Sequence, residues 1–148
     1  KAREDTLAKI AFQILNGAND SLKKVNNLQF KNSLTQILET KGPLIDLLIR
    51  GYIAIISPPD GRFRIFNWNL PKEDGTFLYF GILQTHDTLF HLMDHSENIE
   101  FPTLSILSHN NWYGCHYYKI IQNKYKSKKT NDEIFLLFIR NCDEFDNI

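Results

Sequence analysis

The sequence predicts an α+β fold in which N-terminal helices pack on an antiparallel sheet of six or seven strands. Apolar residues recur at helical spacing before residue 50, the pattern becomes strand-like from Tyr52 onward, and clusters of Pro, Gly and Asp punctuate the later apolar runs as turns. Helices and strands segregated in this way favour α+β over alternating α/β. The 148 residues, 43% of them hydrophobic, suffice for one core of ordinary size, so 1–148 is read as a single domain with a helical part, 1–50, and a mainly β part, 51–148.

Leu7, Ile10, Ala11, Ile14 and Leu15 follow the i, i+3, i+4, i+7, i+8 spacing of one helix face, and Asn16-Gly17 is a stop. Asp20 or Ser21 can cap a second helix carrying Leu22, Val25, Phe30, Leu34, Ile37 and Leu38, with Asn26-Asn27 as a candidate break and Gly42-Pro43 as terminator. Tyr52 to Ser57 is apolar and β-branched. The turn residues Ser57 to Gly61 send Arg62 to Asn69 back antiparallel. After a turn over Pro71 to Gly75, Thr76 to Gln84 is apolar on both alternating sets, as a central, doubly covered strand would be. Thr88 to Met93 reads as a short strand or a turn of helix. Thr103 to Leu107, Trp112 to Gln122 and Glu133 to Arg140 complete the strands, the last two separated by a polar turn over Lys124 to Asp132.

Seventeen Lys plus Arg balance 17 Asp plus Glu, so the chain as a whole has no attraction for a polyanion, and nucleic acid is not an expected partner. Every apolar run is broken before the roughly 18 residues a bilayer span requires. No transmembrane helix is expected. Cys115 and Cys142 fit either two buried thiols or one disulfide, and their spacing matches no C-x-x-C metal or redox motif. The basic run Lys119, Lys124, Lys126, Lys128 and Lys129 is balanced by Asp132 and Glu133 and reads as a solvated turn.

No motif dictates a reaction, and no cofactor is expected. Ser57, Ser105, Ser108 and Cys115 lie outside nucleophile-elbow patterns. The Ser-Pro-Pro-Asp-Gly turn occurs once, without the 40-residue repeat that a β-propeller needs. Asp87, His91 and His95 would share one face of a helix at i, i+4, i+8 and could hold a metal ion. On a strand His91 and His95 stand about 13 Å apart and the metal site vanishes. Thr88-Leu89-Phe90 favours extended chain, which makes strand the preferred reading. The alternative chemistry is a binding surface. Arg64, Phe66 and Trp68 alternate on one side of their strand, opposite Phe63 and Ile65, and Trp112 belongs to a second aromatic cluster. Core packing is the simpler use of such rings. If they line a site, Arg64 orients a polar group and Trp68 stacks beneath it.

Two segments carry a resemblance: Ser57-Pro58-Pro59-Asp60-Gly61-Arg62-Phe63-Arg64-Ile65-Phe66-Asn67-Trp68-Asn69, and Trp112-Tyr113-Gly114-Cys115-His116-Tyr117-Tyr118-Lys119-Ile120-Ile121. They resemble the S-P-D-G-K-F-R-I-Y-S-W and W-Y-G-A-L-Y-Y-K-I-I signatures of an uncharacterised family of exported proteins from Bacteroidetes bacteria. Gly75-Thr76, Tyr79-Phe80-Gly81 and Gln84 sit where that family has a G-T-x-x-Y-F-G-x-x-Q-like strand, so the likeness covers about residues 55 to 125. Pro59 lengthens the first motif, Cys115-His116 replaces small and apolar residues in the second, and the L-G-W-D-G-N ending is missing. A shortened member, or a different course for the C-terminus, is expected. The resemblance implies export but no activity. With Lys rather than Met at position 1, it leads to an expected periplasmic, secreted or cell-surface location. The function expected is a non-catalytic extracytoplasmic binding or accessory module for a glycan or a peptide. A metal-dependent or other hydrolase using the segment from His86 to His95 is the alternative.

Overall fold

A computed structural model of the chain describes residues 2–40, 51–92, 116–123 and 134–140. It is α+β: two helices pack on an antiparallel four-stranded sheet. Helix α1 spans Ala2–Asn16 and α2 spans Asp20–Glu39. The strands are β1, Ala54–Ile56; β2, Phe63–Pro71; β3, Phe77–Thr85; β4, Leu89–Leu92; β5, His116–Asn123; and β6, Ile134–Arg140.

Helix α1 buries Leu7, Ala11 and Ile14, the stripe its spacing predicts, whereas Leu15 is 39% exposed. Helix α2 is capped by Asn19, one residue earlier than expected: its side chain accepts from the Leu22 N–H at 2.8 Å and satisfies one orphan donor of the first turn. The helix runs unbroken through Asn26-Asn27. Phe30, Leu34, Ile37 and Leu38 fix its rotation, and three- and four-residue steps back from Phe30 land on Asn27 and Asn26, which are buried. Leu22 and Val25, expected on the core stripe, lie off that face and remain in solvent.

The sheet order is β1-β2-β3-β4, with every neighbouring pair antiparallel. The tight turn after Pro71 sets the β2–β3 register, from Pro71↔Phe77 through Asn67↔Gly81 to Phe63↔Thr85. An added Cβ on Gly81 would lie 2.7 Å from Leu92 Cδ1, so the missing side chain gives Leu92 its place. Helix α2 spans about 30 Å, as does a nine-residue strand. It is tied at both ends. Near its start, Asp20 Oδ1 accepts from the Glu73 N–H and Lys23 Nζ donates to the Pro71 carbonyl; near its end, Gln84 Nε2 donates to the Leu38 carbonyl.

The helix-facing side of the sheet buries Phe66, Trp68, Leu70 and Ile82 with the apolar stripes of both helices. On the opposite side Ile65 and Tyr79 pack with Ile120 of β5. Strand β3 is thus central and packed on both faces, as its two apolar alternations predict. The count of strands in the sheet is corrected: among the described residues four strands, not six or seven, form the sheet under the helices, while β5 and β6 pair with each other. The physical reason is layering, because Ile120 covers a sheet face and does not extend an edge. The expected strand over Thr103 to Leu107, the turn over Lys124 to Asp132, the Gly42-Pro43 terminator and both cysteines lie outside the described residues.

Candidate functional site

The alternation of β2 does put Arg64, Phe66 and Trp68 on one side, and that side is the one the helices cover. Phe66 is 0% and Trp68 2% exposed. The indole meets Phe30 edge-on at 5.2 Å between centroids, stacks with Phe80 at 6.0 Å, and donates from Nε1 to Asn27 Oδ1 at 2.7 Å. The gap beside it is about 10 Å³, at the lower limit for holding one water. The aromatic-platform expectation is therefore corrected for Phe66 and Trp68, which serve the core, and stacking of a ligand on Trp68 has no room. Trp112 lies outside the described residues.

Arg64 is different. It is half-buried at the open end of the sheet, where its Nε donates to Gln84 Oε1 at 2.5 Å and its guanidinium carbon stands 4.9 Å from the centroid of the Phe66 ring. Gln84 is its direct neighbour in the ladder and reaches on to the Leu38 carbonyl. A core ring below and a tethered amide beside it limit how the guanidinium plane can turn.

Around Arg64 opens a cleft of about 370 Å³, lined by Ser57, Gly61, Arg62, Phe63, Gln84, Thr85 and His86. Its walls come from the loop before β2, the start of β2 and the end of β3. The loop closes through the Gly61 N–H to the Pro58 carbonyl at 3.0 Å, and Gly61 has φ +67°, a left-handed conformation that residues with a Cβ rarely adopt. Asp60 accepts from the Arg62 N–H at 3.2 Å and from Arg62 Nε at 2.6 Å. Desolvation works against the Asp60 carboxylate, but the Arg62 hydrogen bonds and positive charge outweigh it and hold the carboxyl below its ordinary pKa. At the far wall His86 Nδ1 contacts Asp87 Oδ1 at 2.5 Å, with both side chains largely in solvent.

The segment considered for a metal is strand, not helix, from Leu89 to Leu92. The i, i+4 juxtaposition of Asp87 and His91 is therefore absent: Asp87 sits in the exposed turn before β4, His91 pairs with Ile82 inside the sheet, and His95 lies outside the described residues. Among the described residues no three His, Cys, Asp or Glu side chains come together to hold a metal ion. His91 points to the helix side, and its Nδ1 is buried without a hydrogen-bond partner. Burial, and then the positive charge of Lys31, depress its pKa below 6.5, against a smaller opposing pull from Glu39.

This carries a test. The folded protein holds a proton on His91 less tightly than the unfolded chain, so the stability contribution is whole above about pH 6.5 and is lost as pH falls through that value. Thermal melts in small pH steps should show the wild type losing stability below about pH 6.5 more steeply than His91→Phe. Parallel curves would show that His91 is not the responsible group.

Sequence reading found Arg64 but missed Gln84, Thr85 and His86 as its companions. The signal was present in the hairpin: once Pro71 opposes Phe77, Arg64 must oppose Gln84. Comparison of the chain with protein-family models, curated proteins and solved structures gives no match.

Proposed function

We propose that the chain is a non-catalytic binding or accessory module that takes a segment of glycan or peptide in the cleft around Arg64. The carrying observation is the cleft itself: about 370 Å³ of open space walled by strand ends, with a braced guanidinium, the Phe63 ring and the Ser57 and Thr85 side chains around it. That volume lies in the range of small-ligand sites and suits one sugar unit or one to two amino-acid residues. Placing polar groups on strands tied to α2 limits the ordering cost at binding. An extracytoplasmic location is part of the proposal and rests on the resemblance of residues 55 to 125 to exported proteins; fractionation of the source cells with an antibody to this chain tests it separately.

Binding is tested by screening glycan and peptide arrays and then following backbone amide resonances of the labelled protein. A genuine ligand should shift resonances from residues 57–64 and 84–86 selectively. Arg64→Ala should weaken it by about tenfold or more, the scale of a lost charge-assisted hydrogen bond. Ligands that shift only resonances elsewhere, or that bind Arg64→Ala unchanged, would remove the cleft from the function.

A further inference from the structure

Resting on the binding-module reading, we infer that the group recognised in the cleft is a carboxylate, carried by an acidic sugar or by an acidic peptide. The charged residues lining the space are Arg62, Arg64 and His86, with no carboxylate residue in the lining. In a cleft partly shielded by protein, basic groups attract an anion more strongly than on an open surface. Arg62 is held at the rim by the Asp60 carboxylate, whereas Arg64 is oriented by a neutral amide, that of Gln84. A neutral brace fixes a guanidinium without cancelling its charge.

Shape favours the same class. A guanidinium is a planar fork of donors that matches the two oxygens of a carboxylate, and Arg64 lies over the Phe66 ring with its Nε committed to Gln84. The remainder of the lining offers the half-buried Phe63 ring, the Ser57 and Thr85 hydroxyls and the Cβ-free surface of Gly61. A hexuronic acid presents a carboxylate beside a ring bearing hydroxyls; a Glu or Asp side chain presents it beside backbone polar groups. The recognised chemistry is shared, and the experiment separates the sources.

The probes are a trimer of galacturonic acid and its methyl-ester counterpart, and a short Glu-containing peptide and its Gln counterpart. Affinities are read by calorimetry and the site by amide resonances of residues 57–64 and 84–86. In one of the two pairs the acidic member should bind at least about tenfold more tightly than its neutral counterpart. That advantage should shrink as salt rises from about 0.05 to 0.5 M, and Arg64→Gln should abolish it while leaving the melting temperature near that of the wild type. Which pair responds identifies the source. Equal binding of acidic and neutral members at the cleft would overturn the carboxylate inference and leave the binding module standing. Failure of all four probes to shift cleft resonances would overturn the carboxylate inference, leaving the array screen to decide the wider reading. An acidic preference retained in Arg64→Gln would also overturn it.

Discussion

Trp68→Ala is expected to cost about 3–5 kcal/mol of folding stability, the range for truncating a large buried aromatic side chain. The indole is 2% exposed, sits between Phe30 and Phe80, and joins β2 to the middle of α2 through its bond to Asn27. Removing it opens a cavity between helix and sheet, and neighbours tied elsewhere cannot collapse fully into the space. Against the roughly 5–15 kcal/mol that keeps a typical domain folded, this loss is large. Urea unfolding gives the magnitude. The polar part is separable: Asn27→Ala leaves the buried N–H without its acceptor and should cost about 1–3 kcal/mol, and Trp68→Phe removes the donor while keeping an aromatic ring. In the double-mutant cycle the two changes should be coupled by more than about 0.5 kcal/mol. Additive effects would mean that the hydrogen bond contributes nothing beyond packing.

Asn67→Asp should be nearly as damaging, although it changes almost no volume. Asn67 is 0% exposed, and its Nδ2 donates to the Phe80 carbonyl at 3.2 Å. A carboxylate has no proton to offer that carbonyl, so a buried charge would face an acceptor, with a cost of about 3 kcal/mol or more at neutral pH. The introduced carboxyl can escape by taking up a proton, which raises its folded-state pKa. Its penalty relative to wild type should be small below the ordinary carboxylate pKa of about 4 and grow as pH rises through the folded-state value. This is opposite in sign to His91, whose contribution is lost on acidification. Chemical denaturation of variant and wild type at matched pH values distinguishes them, and a variant as stable as wild type at neutral pH would show that the site admits water or rearranges.

The elements were legible where one signal was strong. Helix α1 and the later part of α2 follow apolar spacing, and the β2–β3 hairpin follows from two alternating runs around a turn-forming segment. The first half of α2 was misread because Leu22 and Val25 look like core residues and Asn26-Asn27 like a break. Helical geometry carried the buried stripe from Phe30 back onto the asparagines, where Trp68 supplies the polar partner. Arg64 was recognised as unusual for a strand with large rings, yet its site was assigned to the rings beside it. The cleft formed instead from residues at the end of β3, reached only through the strand register.

Several properties were therefore determined by sequence alone: helices before strands, the turn that pairs β2 with β3, and the absence of an apolar run long enough for a membrane helix. These depend on local dihedral preferences and on the period of apolar residues, which the chain displays without knowledge of its neighbours. Tertiary structure decided which face of β2 the helices cover, how the strands divide between two ladders, and which polar residues line a cleft. Alternation shows that Arg64, Phe66 and Trp68 share a side, but whether that side is dry depends on Asn27 and Phe30, some forty residues away in the chain.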